Sequence, residues 1–242
     1  MMPGDYIPGM RIPSEVPVMT LPGATLFPQA LLPLYIFEPR YRRMLKDMLA
    51  SERMFTVAMQ RPGTTHESPC AVAGLGLIRV SVDHKDGTSH LILQGLTRVH
   101  LKQTLQYKPY RVQTIRPVEM PEADSVVVDA LLAKLLELVR HRLQLGQPAM
   151  PFPLLQSEAS ESAGGSMSSP ADNVTGDQVV EYLESQGNPG AVADMVACAL
   201  LGHPGQRQTI LETFDVEERL KHLVHFLMAE IESLQNNPGP YE

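Results

Sequence analysis

Prolines punctuate an apolar stretch between Val16 and Tyr41 and recur at intervals of five or six residues. They are Pro17, Pro22, Pro28, Pro33 and Pro39. Because proline fixes φ and lacks a backbone donor, it is confined to strand starts, sheet edges, turns and the first turn of a helix. The stretch therefore predicts short strands at Val16–Leu21 and Leu31–Phe37 around a Pro-Gly loop, followed by a helix from Pro39 to Leu49.

A β pattern continues from Met54 to Val118 after that helix. Further strands are predicted at Met54–Gln60, Ala71–Val82, Thr88–Gln94, Thr97–Leu105 and Tyr110–Val118. The Asp86-Gly87 pair predicts a hairpin turn, and Gly95 is expected to end a strand. Gly74 and Gly76 indicate a bulge or a tight bend. About six short strands with one inserted helix are typical of a small open barrel.

The apolar period becomes helical after Pro121. Helices are predicted from about Ser125 to Leu143, and at Asp177–Ser185, Gly190–Leu201, Gly205–Thr213 and Val216–Leu234. The predicted caps are Asp124 or Ser125, Thr175 with Gln178, Asn188, and Asp215 with Glu218. Residues 146–176 are rich in serine, proline and glycine, which favours a flexible loop.

These patterns predict an α+β chain with two parts. Residues 1–15 are expected to be a flexible leader, and 16–120 a β-rich subdomain. Residues 121–235 are expected to form a helical subdomain that contains the 146–176 loop, with 236–242 as a tail.

Composition narrows the classes of protein that the chain can belong to. Two cysteines among 242 residues are too few for a disulfide framework. The first residues lack a secretory pattern, and no apolar run is long enough to span a membrane, so a cytoplasmic protein is expected. Residues 1–120 carry 14 Lys+Arg and 9 Asp+Glu (+5), whereas 121–242 carry 6 and 18 (−12), giving the net −7. The acidic second half argues against nucleic-acid binding.

Catalytic motifs are not found in the sequence. There is no GxxxxGK[ST] phosphate loop and no GxSxG elbow. Gly74-Leu-Gly76 lacks the third glycine and the following helix of a dinucleotide site. His222 and His225, with Glu218 one turn earlier, have ligand-like spacing but are read as solvated helix positions. No catalytic residue, cofactor or metal is therefore expected.

Several segments resemble the Lon N-terminal (substrate-binding) domain family. They are Val18–Pro28, Leu32–Arg42, Gly74–Ile78, the Asp86-Gly87 hairpin, Gln94–Val99, Ala193-Asp194 and Gln208–Leu220. The resemblance runs from about Val16 to Gln235 and is weakest across 146–176. It implies a six-stranded, PUA-like pseudo-barrel with one inserted helix, followed by a helical bundle.

The family also implies a function. In Lon proteases this domain precedes an ATPase and a Ser-Lys peptidase, so the chain is expected to be a stand-alone bacterial form without either. The resemblance implies a non-catalytic module that binds unfolded or tagged polypeptides or a protease partner, as an adaptor in protein quality control. A homodimer is left open. The alternatives are an ATP-independent peptidase, which needs an activated nucleophile, and a small-ligand or RNA-binding barrel.

Candidate contact residues follow from the Pro-rich loop and the basic face of the first helix. They are Leu26, Phe27 and Pro28 in the loop, and Arg40 and Arg43 on the helix. The loop is expected to be exposed, and its apolar side chains to meet an extended peptide.

Overall fold

The structure is a computed structural model that describes residues 6–7, 10–64, 67–121, 125–145 and 175–236. It divides into two compact units, Met1–Glu119 and Met120–Glu242. The strands of the first unit are β1 (Tyr6–Ile7), β2 (Met10–Arg11), β3 (Glu15–Leu21), β4 (Leu31–Ile36), β5 (Met54–Met59), β6 (Val72–Asp83), β7 (Ser89–Gln106) and β8 (Arg111–Pro117).

Six strands form one sheet in the order β4-β7-β6-β5-β3-β8, and β7 also pairs with β8. That additional pairing closes β7, β6, β5, β3 and β8 into a barrel. Strand β4 pairs only with β7 and lies outside this closed set. Only β3 and β5 are parallel; the other neighbours in this sheet are antiparallel. The predicted pseudo-barrel is confirmed.

Helix α1 (Pro39–Leu49) begins with proline in its first turn, as predicted. Its apolar face buries Tyr41, Met44 and Leu45 against the inner face of the sheet. The rest of this core comes from the strands and the loop before β4: Met19, Leu26, Ile36, Phe55, Val57, Ile78, Leu91 and Leu93. A second core cluster inside the barrel includes Val16, Val18, Ala73, Leu75 and Val99.

Gly95 does not end a strand, which corrects the prediction of two strands in this region. Ser89–Gln106 is one strand of 18 residues, and Gly95 lies within it. The β6–β7 pairing shifts register at this point, because Leu75 pairs with Thr97 whereas Gly76 pairs with Gly95. Gly95 thus marks a bulged point where another backbone approaches the sheet.

Part of the first fifteen residues, predicted as a flexible leader, belongs to strands or to the barrel core. Tyr6–Ile7 pairs with Met10–Arg11. Ile12 is 8% exposed and joins the barrel core, and Glu15 already belongs to β3. An isolated apolar residue among prolines gave no periodic signal from which this burial could be predicted.

Helices form the second unit, as predicted. They are α2 (Val126–Gln144), α3 (Gly176–Ser185), α4 (Pro189–Leu200), α5 (Pro204–Glu212) and α6 (Val216–Asn236). The predicted caps are confirmed: Ser125, Thr175 with Gln178, Asn188 and Asp215 each accept a bond from a first-turn backbone N–H.

Parts of two further predictions lie outside the described residues. The flexible loop predicted at 146–176 falls there up to residue 174, whereas Thr175 and Gly176 begin α3. Most of the 236–242 tail also falls there, whereas Asn236 ends α6.

Candidate functional site

The loop between β3 and β4 enters the core instead of projecting from it. Leu26 and Phe27 are each 1% exposed, and Leu26 belongs to the core under α1. The expectation that the loop is exposed is therefore wrong for Leu26 and Phe27. Pro28 is only half-buried.

Two glycines explain how the loop fits so deeply. A Cβ at Gly74 would lie 2.0 Å from the Leu26 carbonyl oxygen, and one at Gly95 would lie 1.9 Å from that of Phe27. These distances are too short for any side chain, so both positions require glycine for close backbone approach. Gln29 N–H, 2.8 Å from the Gly95 carbonyl, fixes the loop to β7.

Arg40 lies on the half-exposed side of α1, within a network of acidic groups. Its guanidinium donates two bonds to the carboxylate of Glu67 and one to Glu38. The bonds to Glu67 raise the pKa of Arg40 and lower that of Glu67. A partner that contacts Arg40 must therefore share it with these carboxylates.

Arg43 is exposed but also paired. Its Nε lies 3.1 Å from Asp47 Oδ2, one helical turn away. Tyr110 donates a hydrogen bond of 2.9 Å to the same oxygen, which holds the pKa of Asp47 below its ordinary value. Arg40 and Arg43 are accessible, and their role in binding stays a prediction.

Exposed apolar side chains are concentrated on the outer side of β4, β7 and β6. We call this surface the outer apolar face: Leu31, Pro33, Tyr35 and Phe37 from β4 and its end, Val80 and Val82 from β6, and Ile92 from β7. Tyr35, Phe37 and Val82 are 49%, 58% and 53% exposed. The register places Pro33 opposite Ile92, and Ile92 opposite Val80. The seven side chains thus form a continuous surface across three strands.

The same strands are apolar on their inner side, which fixes the orientation of the face. Ile36, Leu91 and Leu93 are almost fully buried against α1. Since side chains alternate across a strand, burying these residues turns Tyr35 and Ile92 outward. The outer apolar face is therefore the second side of strands whose first side makes the core.

Aromatic and imidazole rings border the face at the β6–β7 hairpin. Tyr35 stacks on Phe37 with ring centroids 5.8 Å apart, and on His90 at 4.8 Å. His84 Nε2 lies 2.7 Å from His90 Nδ1, so one imidazole donates to the other. These contacts hold Tyr35 in place and give the face a polar border.

Sequence reasoning missed the outer apolar face and selected the loop before it. The available signal was the run Leu31–Phe37, in which the residues of both strand faces are apolar although only one side of an edge strand can be buried in the core. The proline at the centre of the run, Pro33, also indicated an edge strand.

No group of three or more metal-ligating side chains is present among the residues that the structure describes. His222 Nδ1 lies 3.3 Å from the Thr213 hydroxyl, but that hydroxyl donates to the Thr209 carbonyl and so is not set up as a nucleophile. Within the same residues, no helix is long and apolar enough to cross a membrane.

Lon proteases from several bacteria are similar to this chain over nearly its whole length. The Lon protease of Dictyoglomus thermophilum is 26% identical over 227 residues, which make up 93% of this chain and 25% of the relative. The Lon protease of Methylocella silvestris is 26% identical over 222 residues, or 90% of this chain and 24% of the relative. The chain thus spans about a quarter of the length of these curated relatives.

Solved structures agree with the fold. The N-terminal domain of the Mycobacterium avium complex Lon protease superposes with a TM-score of 0.63 at 19% identity, covering 88% of this chain and 98% of that domain. A Lon N-terminal domain protein from Xanthomonas campestris gives 0.55 at 20% identity, with the same coverage. The family model of the ATP-dependent protease La (LON) substrate-binding domain matches residues 15–229, and the chain belongs to this family.

Proposed function

We propose that this chain binds unfolded polypeptides on the outer apolar face, and that it acts without catalysis as an adaptor that presents them to a protease. The observation that carries the proposal is the exposure of seven apolar side chains on one continuous surface. Membership of the substrate-binding family supports the polypeptide as the partner class. The adaptor role rests on the family alone.

The size of the face suits a transient partner. From the exposed fractions of its side chains, the face presents roughly 600 Å² of apolar surface, the upper end for the largest patch on a monomer. Burying that area gives roughly 15 kcal/mol before the costs of association and of ordering the ligand, which offset most of it. We therefore expect affinities of about micromolar strength.

Arg40 and Arg43 are proposed to assist without providing the main affinity. Both are exposed enough to meet a carboxylate on the ligand, yet each already has one on the protein. Exchanging one exposed ion pair for another yields little free energy, so these arginines act mainly on the rate of encounter.

Binding is tested by fluorescence anisotropy with a labelled, permanently unfolded protein, reduced and carboxymethylated lactalbumin. Tyr35→Ser removes an aromatic side chain from the centre of the face, and we expect affinity to fall about tenfold. Tyr107→Ser is the matched control, because Tyr107 is 69% exposed and lies at the β7–β8 turn, outside the outer apolar face.

Equal affinity of both variants and the parent chain would overturn the proposed face. Circular dichroism of each variant establishes that the fold is kept. The same incubation tests the peptidase alternative, since the proposal expects the probe to remain intact.

A further inference from the structure

Strand β4 has one free edge. It pairs with β7 from Leu31 opposite Gln94 to Ile36 opposite Ser89, and no strand in the described part of the chain pairs with its other side. A free edge presents backbone donors and acceptors to any extended chain that reaches it.

In the antiparallel pair of β4 and β7, hydrogen-bonded and non-bonded residue pairs alternate, and this alternation identifies which β4 residues present free backbone groups. The Gly95 N–H donates to the Ala30 carbonyl at 2.8 Å, so the bonded pairs that follow are at Leu32, Leu34 and Ile36. Pro33 agrees with this alternation. It lies between two bonded positions, where its missing N–H removes no hydrogen bond to β7. The backbone groups of Leu31, Pro33 and Tyr35 therefore point away from β7.

Those three residues also carry side chains of the outer apolar face. A strand added beside β4 would find two N–H donors, from Leu31 and Tyr35, and three carbonyl acceptors. Because residues directly opposite in an antiparallel pair point their side chains to the same side, every second side chain of the added strand would extend the apolar face.

Resting on the proposed function, we propose that the ligand is bound as an added β-strand: an extended segment with alternating apolar residues pairs antiparallel with the free edge of β4. Recognition then combines backbone bonds, which are independent of sequence, with apolar contacts at every second residue. A preformed helix lacks free backbone groups to offer and is excluded as the ligand.

Pro33 argues against a second copy of this chain as the occupant. A two-fold pairing of β4 with itself about its centre places Pro33 opposite Pro33, and both central carbonyls then lack a donor. An ordinary residue opposite Pro33 still donates its N–H.

Backbone methylation of a peptide ligand tests the pairing. The probe is a short capped peptide of alternating valine and threonine with a lysine at each end, titrated against the full chain. With the valines on the outer apolar face, their N–H groups point at β4 and those of the threonines point away. We expect methylation of the valine amides to weaken binding about tenfold, and methylation of the same number of threonine amides to leave it unchanged.

Equal effects of the two methylations, or the reverse order, would overturn strand addition while leaving binding to the apolar face intact. Failure of the unmethylated peptide to bind, when the unfolded protein does bind, would also overturn it. If neither probe binds, the proposed function fails as well. A dimer of the chain alone that the peptide dissociates, seen by sedimentation, would assign the edge to a second copy.

Pro33→Val provides an independent variant. Valine keeps an apolar side chain and restores a donor on the free edge, so we expect the unmethylated peptide to bind about fivefold more tightly. Unchanged or weaker binding to a folded Pro33→Val chain would count against the pairing.

Discussion

Arg219 is fully buried in the helical unit, and its charge is matched by groups from several segments. Its guanidinium donates to Asp194 Oδ1 at 3.1 Å and to the carbonyls of Thr213 and Phe214 at 2.9 and 3.2 Å. These carbonyls follow the C-terminal end of α5, where a cation is favourable. A single arginine thus joins α4, α6 and the end of α5.

Asp194→Asn is expected to destabilise the helical unit by about 3–5 kcal/mol, because it removes the negative charge that lies 3.1 Å from the buried Arg219 guanidinium. Urea unfolding followed by circular dichroism measures the effect. Asp177→Asn is the control: Asp177 pairs with Arg140 at the surface and is 81% exposed at its side chain, so the cost should stay below about 1 kcal/mol. Similar costs for both variants would contradict this account of Arg219.

Individual residues also mark the limit of what the sequence predicts. Gly74 and Gly95 were recognisable as special positions, but a sequence does not name the backbone that approaches a glycine. Here the approaching groups are the carbonyls of Leu26, 48 residues before Gly74, and of Phe27, 68 residues before Gly95. Because the sequence does not reveal this long-range contact, it predicts that the Pro-rich loop is exposed. Two of the predicted contact residues, Leu26 and Phe27, are instead buried.

Local signals predicted the helices well because their causes are local. A cap bonds to N–H groups two or three residues ahead, so Ser125, Thr175, Asn188 and Asp215 could be read directly from the chain. The strand β7 was harder, since its continuity through Gly95 depends on partners from β6 and the loop before β4. Exposure of the second face of β4 is likewise a property of the assembled sheet.

Helix α1 is joined to the start of β8 by the bond from Tyr110 to Asp47. Tyr110→Phe removes the donor, so the pKa of Asp47 should rise toward its ordinary 3.8. Loss of this bond should cost about 1 kcal/mol of stability. Carbon-13 NMR of the Asp47 carboxyl reads the pKa, and urea unfolding reads the free energy.

The effect of Tyr110→Phe depends on pH in a defined direction. Since folding lowers the pKa of Asp47, its contribution is complete above the unfolded value near 3.8 and is lost as pH falls through the folded value. The difference between Tyr110→Phe and the parent should therefore be largest above about pH 4 and narrow in more acid solution. Tyr107→Phe, at the β7–β8 turn, should show no such narrowing.

At the scale of the whole molecule, family membership could be predicted from the sequence, because it rests on segments spread across both units. The location of the outer apolar face could not be predicted, because it depends on which strands pair in the sheet. The division of charge, +5 in residues 1–120 and −12 in 121–242, belongs to this scale as well. It predicts that the acidic half affects how ligands approach without forming their binding surface.

A chain ending after Pro121 separates the contribution of the outer apolar face to binding from the electrostatic effect of the acidic half. It keeps both β-domain core clusters, α1, the six-stranded sheet and every residue of the outer apolar face. We expect it to fold and, at 0.5 M salt, where charges are screened within about 5 Å, to bind the carboxymethylated probe within about twofold of the full chain. At low salt, the fragment should bind this acidic probe more tightly, since the repulsion of the −12 half is gone. A folded fragment that does not bind at either salt concentration would show that the second unit provides part of the binding surface.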